Sequence, residues 1–141
     1  MSLQEELEMG DLQSFKAATV LAAGVARRGE TCGALLGALM GLGVASGREK
    51  MEDTPQYRQA MEPAQRIASR FQEEIQARFD TKLPGDTTLC RDLQAAIYGQ
   101  SYNMNDPDDY KAFLEAGGHS DKGCPLVCGI AARVAGEELI E

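Results

Sequence analysis

Four cysteines, Cys32, Cys90, Cys124 and Cys128, together with the single histidine His119, are the residues of this chain best suited to redox or metal chemistry. A thiolate binds soft metals and iron–sulfur clusters and exchanges with disulfides, and in a reducing compartment such residues rest as thiols rather than as structural staples. Cys124 and Cys128 are spaced so that a helix containing both puts them on one side, with β-carbons about 5 to 6 Å apart. That separation suits two ligands of one metal or cluster and also lies near the limit for a disulfide, so spacing alone does not choose between them. Neither the paired C-x-x-C of a zinc ribbon nor the tight ferredoxin spacing is present. Buried cysteine is also a common inert small hydrophobe, and that reading stays open for each of the four.

Local patterns place three of these thiols at helix starts. Thr31 offers a hydroxyl cap to a helix that begins at Cys32, Cys90 falls in the first turn after Thr88, and Cys124 immediately precedes Pro125. Free backbone N–H groups and the positive end of the helix dipole favour a thiolate there, so the expected effect is a lowered thiol pKa. His119, in a glycine-rich loop before Cys124, is a candidate fourth ligand or proton donor, or simply a solvated side chain. Ser120 and Asp121 beside it make no nucleophile triad, because no strand-to-helix elbow carries the serine. A P-loop, a dinucleotide glycine fingerprint and an H-E-x-x-H helix are absent. Asn105, Asp106, Asp108 and Asp109 lack the glycine and terminal glutamate of a calcium loop and read as a helix cap.

The elements that must position these residues are helical. No segment alternates apolar and polar residues with β-branched enrichment, whereas several carry the three-four spacing of an amphipathic helix, so the expected fold is all-α, a compact bundle of about five to six helices. The first runs from near Asp11 through Phe15 and Ala22 to Gly24, and Gly24 to Glu30 is a loop. The second, apolar throughout, spans Thr31 to about Gly47 as a core helix, with Gly33, Gly37 and Gly41 forming a side-chain-free groove for close helix packing. A long third helix starts at Asp53 or Thr54 and carries the stripe Tyr57, Ala60, Met61, Ala64, Ile67, Ala68, Phe71, Ile75 and Phe79, with a kink expected at Pro63. Short helices follow over Leu89 to Tyr98 and Pro107 to Ala116, and a last one runs from Cys124 to the C-terminus. One domain, 1–141, is expected, with a flexible segment over about residues 1–10.

The formal charge of -8, with lysines and arginines scattered among acids, excludes a basic nucleic-acid face and adsorption to an anionic membrane. The polar start, Met1 to Asp11, has no leader pattern, and the apolar stretch Thr31 to Ser46 is shorter than the roughly twenty residues that span a bilayer. A cytoplasmic protein without membrane insertion is the expectation.

At Gly29-Glu30-Thr31-Cys32-Gly33-Ala34-Leu35-Leu36-Gly37-Ala38, the chain resembles the redox-active family named for its C_GCAxxG_C_C cysteine pattern; the C-G-A-x-x-G core matches at Cys32, Gly33, Ala34 and Gly37. Leu89-Cys90-Arg91-Asp92-Leu93 is similar to the family's third cysteine motif and Cys124-Pro125-Leu126-Val127 to its last, so the likeness covers about Phe15 to the C-terminus. The family's first cysteine motif has no counterpart, and Cys128 stands where the family more often has an apolar residue. The resemblance implies an all-helical bacterial or archaeal protein with a redox role, encoded beside transporters or oxidoreductases, and a related domain of split-Soret-type cytochromes is associated with an iron–sulfur site. Without a C-x-x-C-H, covalent haem is not expected.

Three functions follow as alternatives. The first is an iron–sulfur cluster or metal held by Cys32, Cys90 and Cys124, with Cys128 or His119 as fourth ligand, for electron transfer or redox sensing with a redox protein, an oxidoreductase or a transporter-associated partner. The second is a thiol–disulfide oxidoreductase among the same cysteines. The third is a non-catalytic helical module whose cysteines merely pack and whose glycine face joins a partner or forms a homodimer.

Overall fold

The computed structural model describes residues 2–141. Among them the chain forms seven α-helices: α1 (Ser2–Glu6), α2 (Leu12–Ala18), α3 (Gly33–Ser46), α4 (Thr54–Phe79), α5 (Cys90–Tyr98), α6 (Pro107–Glu115) and α7 (Cys124–Ile140). A 3-10 turn, Thr19–Leu21, continues α2, and the β-type pairing among the described residues is an isolated bridge. The fold is all-α, as the periodicity implies. The count exceeds five or six because Ser2–Glu6, within the segment expected to be flexible, coils as α1 against α3 and α7; Met1 of that segment lies outside the described residues.

Side-chain caps set the starts of α2, α4 and α6. The side chain of Asp11 accepts from the N–H of Ser14 at 2.8 Å and that of Asp53 from the N–H of Gln56 at 3.1 Å. Asp106 accepts from both Asp108 and Asp109, at 2.9 and 3.0 Å. Each bond satisfies a backbone donor that the first helical turn leaves free, and replacing such a cap by alanine typically costs about 1 kcal/mol.

Three helices build the core. Leu35, Ala38 and Leu42 of α3, Ile67, Phe71 and Ile75 of α4, and Val127, Ile130, Ala131, Val134 and Ala135 of α7 are buried together. The apolar stripe of α4 is buried at Ala60, Ile67, Phe71 and Ile75, whereas Tyr57 and Met61 near its start are 44% and 39% exposed, and the Arg48 guanidinium lies 5.0 Å from the Tyr57 ring centre. The helix continues through Pro63 without a break. Ion pairs stitch α4 to α7: Arg66 pairs with Glu138, Arg70 with Glu137, and Arg133 with Glu74. Their arginines are largely solvated, so these pairs add little beside the apolar burial beneath them, even though the Glu138 side chain is itself covered.

The glycines of α3 divide by role. A β-carbon on Gly33 would stand 2.6 Å from the Leu21 carbonyl oxygen, and one on Gly41 would stand 3.0 Å from a Leu3 methyl, so both mark the close packing expected of them. Gly37 is different: a β-carbon there would meet nothing within 4 Å. It borders a cavity of about 240 Å³ between α1, α2, α3 and α7, whose wall includes Phe15, Met40 and Cys128. Because glycine in a helix interior is about 1 kcal/mol less favourable than alanine, Gly37→Ala is expected to raise stability by close to that amount in chemical denaturation. A lower midpoint would mean that the cavity closes on this position in solution.

Candidate functional site

The site is built by bringing the loops before α3 and α5 side by side. Thr31 does not cap α3; its backbone forms an antiparallel bridge with Leu89, while Cys32 occupies the cap position with no side-chain cap bond of the usual kind. The N–H of Cys32 donates to the Thr88 carbonyl at 2.8 Å, that of Cys90 to the Glu30 carbonyl at 2.6 Å, and that of Arg91 to the Gly29 carbonyl at 3.1 Å. In this register Cys32 stands opposite Thr88, so Cys90 is its diagonal neighbour on the same face. Thr87 secures the second loop: its hydroxyl donates to Asp92 at 2.6 Å and accepts from the N–H of Leu89 at 3.2 Å.

The first loop is bent by an unusual backbone. Ala23, Gly24, Val25, Ala26 and Arg27 all have φ between +51° and +74°. For the four that are not glycine this left-handed region costs roughly 1–2 kcal/mol each. Hydrogen bonds offset part of the strain: Arg27 donates to the Ala22 carbonyl, Gly29 to that of Ala23 and Glu30 to that of Gly24, at 3.1, 3.1 and 2.9 Å. Its result is contact with the site, for a β-carbon on Gly24 would lie 2.7 Å from that of Cys90. The arch is also held from outside, with the Arg27 guanidinium 5.7 Å from the Tyr110 ring centre and 3.4 Å from the Met104 carbonyl.

Cys124 opens α7 as expected, and its sulfur lies 3.3 Å from the Tyr98 hydroxyl at the end of α5. Cys128 follows one turn later, the most exposed of the four. When ionised, Cys124 and Cys128 each oppose ionisation of Cys32, and Cys32 and Cys124 that of Cys90. His119 is not tied to these thiols by any hydrogen bond; it is exposed and packs edge-on against Phe113 and Tyr110, with ring centres 5.5 and 6.2 Å away. Among the described residues no three His, Cys, Asp or Glu side chains stand close enough to hold a metal ion as they are.

The helix-start positions are as expected, but the direction of the pKa shift is reversed. Burial pushes the Cys32 thiol up to about 11, outweighing the downward pull of the Ala34 and Leu35 backbone N–H groups at the start of α3. Burial also drives Cys90 up to about 12, with the charges of Cys32 and Cys124 adding to it. Cys124 is raised by burial against the opposing hydrogen bond from Tyr98, and Cys128 is raised chiefly by burial. Alkylation of Cys32 and Cys90 is therefore expected to be slow at neutral pH and to climb steeply toward pH 11 to 12, read cysteine by cysteine in mass spectrometry. The native state holds these protons more tightly than the unfolded chain, so their stabilising contribution is complete below the ordinary thiol pKa of 9.0 and is lost as pH rises through about 11 and 12.

Sequence reasoning missed Tyr98, Gly24 and Gly123. A β-carbon on Gly123 would fall 2.3 Å from the Gly117 carbonyl oxygen and 2.9 Å from the Tyr98 hydroxyl, so this glycine makes room for the hydroxyl beside Cys124. The turn before Cys124 was visible as glycine-rich sequence, whereas nothing local couples it to the far end of α5.

The bundle is all-α and carries free cysteines at the starts of α3, α5 and α7. The chain belongs to the family described as "Putative redox-active protein (C_GCAxxG_C_C)", whose model matches residues 1–138. The match extends farther toward the N-terminus than Phe15, yet no cysteine precedes Cys32. No curated protein and no solved structure matches the chain.

Proposed function

We propose that this protein binds an iron–sulfur cluster or a soft metal through Cys32, Cys90 and Cys124, with Cys128 as the fourth sulfur, and serves electron transfer or redox sensing in the cytoplasm. What supports this reading is the placement of Cys32, Cys90 and Cys124 at three separate helix starts, with Cys32 and Cys90 on paired loops and Cys124 against Tyr98, the last residue of the helix that Cys90 opens. A dithiol needs only two.

The donor set fits such a group in chemistry. Thiolates are the preferred ligands of iron–sulfur clusters, and Cys32 sits at the N-cap of α3, where free backbone N–H groups favour negative charge on sulfur. Loading has to draw the side chains together and release their protons, which the raised pKa values make dependent on pH. When bound, the group would supply a one-electron couple. The chain's own part is to hold the sulfurs on helix starts, to bury Cys32 and Cys90 away from water, and to leave Cys128 near the surface. Among the described residues no helix is long and apolar enough to cross a membrane, so the redox partner is proposed to be met in solution.

Protein purified and reconstituted without oxygen is expected to contain iron and acid-labile sulfide, or a stoichiometric metal, with matching visible absorption. Colourless, metal-free protein with intact helical structure after reconstitution would count against it. The exposure of Cys128 one turn from Cys124 favours a second reading, in which these two exchange with an external disulfide. A reversible two-electron couple confined to that pair, in metal-free protein, would select it.

A further inference from the structure

We propose that Tyr98 is a positioning residue that sets the redox potential of the thiol site by donating its hydroxyl hydrogen to the sulfur of Cys124; this role rests on the proposed redox function.

The geometry brings the two together from different elements. Tyr98 is the last residue of α5, whose first residue is Cys90. Side chains on a helix lean toward its N-terminus, so the phenol reaches back along α5, in the direction of Cys90, to meet Cys124 at the start of α7. The hydroxyl lies 3.3 Å from the sulfur, within range for a hydrogen bond to a large, soft acceptor. Its ring is fixed edge-on by Phe113 and Tyr102, with ring centres 5.5 and 6.4 Å away. Gly123 leaves the space that the hydroxyl occupies. Packing thus determines where the hydroxyl points.

The direction of donation follows from charge. A phenol ordinarily keeps its proton at neutral pH and can donate it to a sulfur acceptor. Once Cys124 is a thiolate or a ligand it has no hydrogen to give, so the phenol must be the donor. A donor aimed at a ligand sulfur stabilises whichever state carries more negative charge there, and that is the reduced state. No bond forms or breaks at Tyr98; the electron comes from the external reductant, and the phenol keeps its proton.

The test is a redox titration of wild type, Tyr98→Phe and Tyr102→Phe, on reconstituted protein by visible absorption and on metal-free protein by thiol counting in glutathione buffers. Tyr98→Phe is expected to shift the midpoint to a more negative value in whichever form is reversible. Tyr102→Phe, which alters the same aromatic cluster away from the sulfur, is expected to leave it in place. Thermal unfolding of each variant shows whether the fold is retained. An unmoved or more positive midpoint in a folded Tyr98→Phe protein, or an equal shift from Tyr102→Phe, would overturn the role of Tyr98 alone. Absence of any reversible couple in the wild type would instead overturn the proposed function, and this role with it.

Discussion

Replacing Cys90 by serine is expected to abolish loading of the site, and Cys32→Ser and Cys124→Ser are expected to do the same. Each of these cysteines sits at the start of a different helix, and the one thiol that shares an element with any of them, Cys128 on α7, is itself assigned to the site and cannot also fill the position of Cys124. Removing one ligand from a buried site also leaves the others desolvated, with burial already opposing their ionisation. Cys128→Ser is expected to behave differently. That side chain is exposed, so solvent or an added thiol can complete the site, and loading should weaken rather than vanish. Metal and sulfide content per folded chain measures the contrast. Equal, complete loss in all four variants would assign Cys128 the same role as the others; equal retention would remove the cysteines from cofactor binding.

Gly24→Ala is expected to cost about 3 kcal/mol, a large share of the roughly 5–15 kcal/mol that holds an ordinary domain together. Two effects add. The position has φ +74°, which alanine tolerates poorly, and the new methyl would stand 2.5 Å from the Glu30 nitrogen and 2.7 Å from the Cys90 β-carbon. Glu30 accepts the hydrogen bond of Cys90, so the damage should spread to the pairing of the two loops. The opposite substitution two residues on makes the control. Ala26 is exposed with φ +52°, and Ala26→Gly relieves strain at the expense of unfolded-state entropy, for a net change of roughly 0 to 1 kcal/mol in favour of the native state. Urea titrations of both variants check the pair. A tolerated Gly24→Ala would mean that the left-handed arch is not pressed against Cys90.

What the sequence reveals about this protein depends on how local the determining chemistry is. Asp11, Asp53 and Asp106 cap helices through bonds to residues two or three positions on, and Pro125 marks the start of α7, so those boundaries were legible. The placement of Cys32, Cys90 and Cys124 at helix starts was legible for the same reason. Thr31 was misassigned because its partner, Leu89, is remote in sequence, and a side chain suited to capping was taken up by a backbone bridge. The pKa shifts were expected downward because the helix end is visible in sequence while burial is not; Cys32 is only 8% exposed, and desolvation dominates. The left-handed arch had glycines at 24 and 29 as its only signal, since Ala23, Val25, Ala26 and Arg27 adopt φ values that their types disfavour. Tyr98 gave none, because its significance lies wholly in meeting Cys124 across the fold.

The central claim is that these cysteines form one binding site, and the most direct measurement is cysteine-resolved alkylation of the folded protein with and without the reconstituted cofactor, at a pH high enough for all thiols to react. The expected result is joint protection of Cys32, Cys90 and Cys124 in proportion to cofactor bound, with partial protection of Cys128. Bound cofactor that leaves any of the three as reactive as in the empty protein would contradict it.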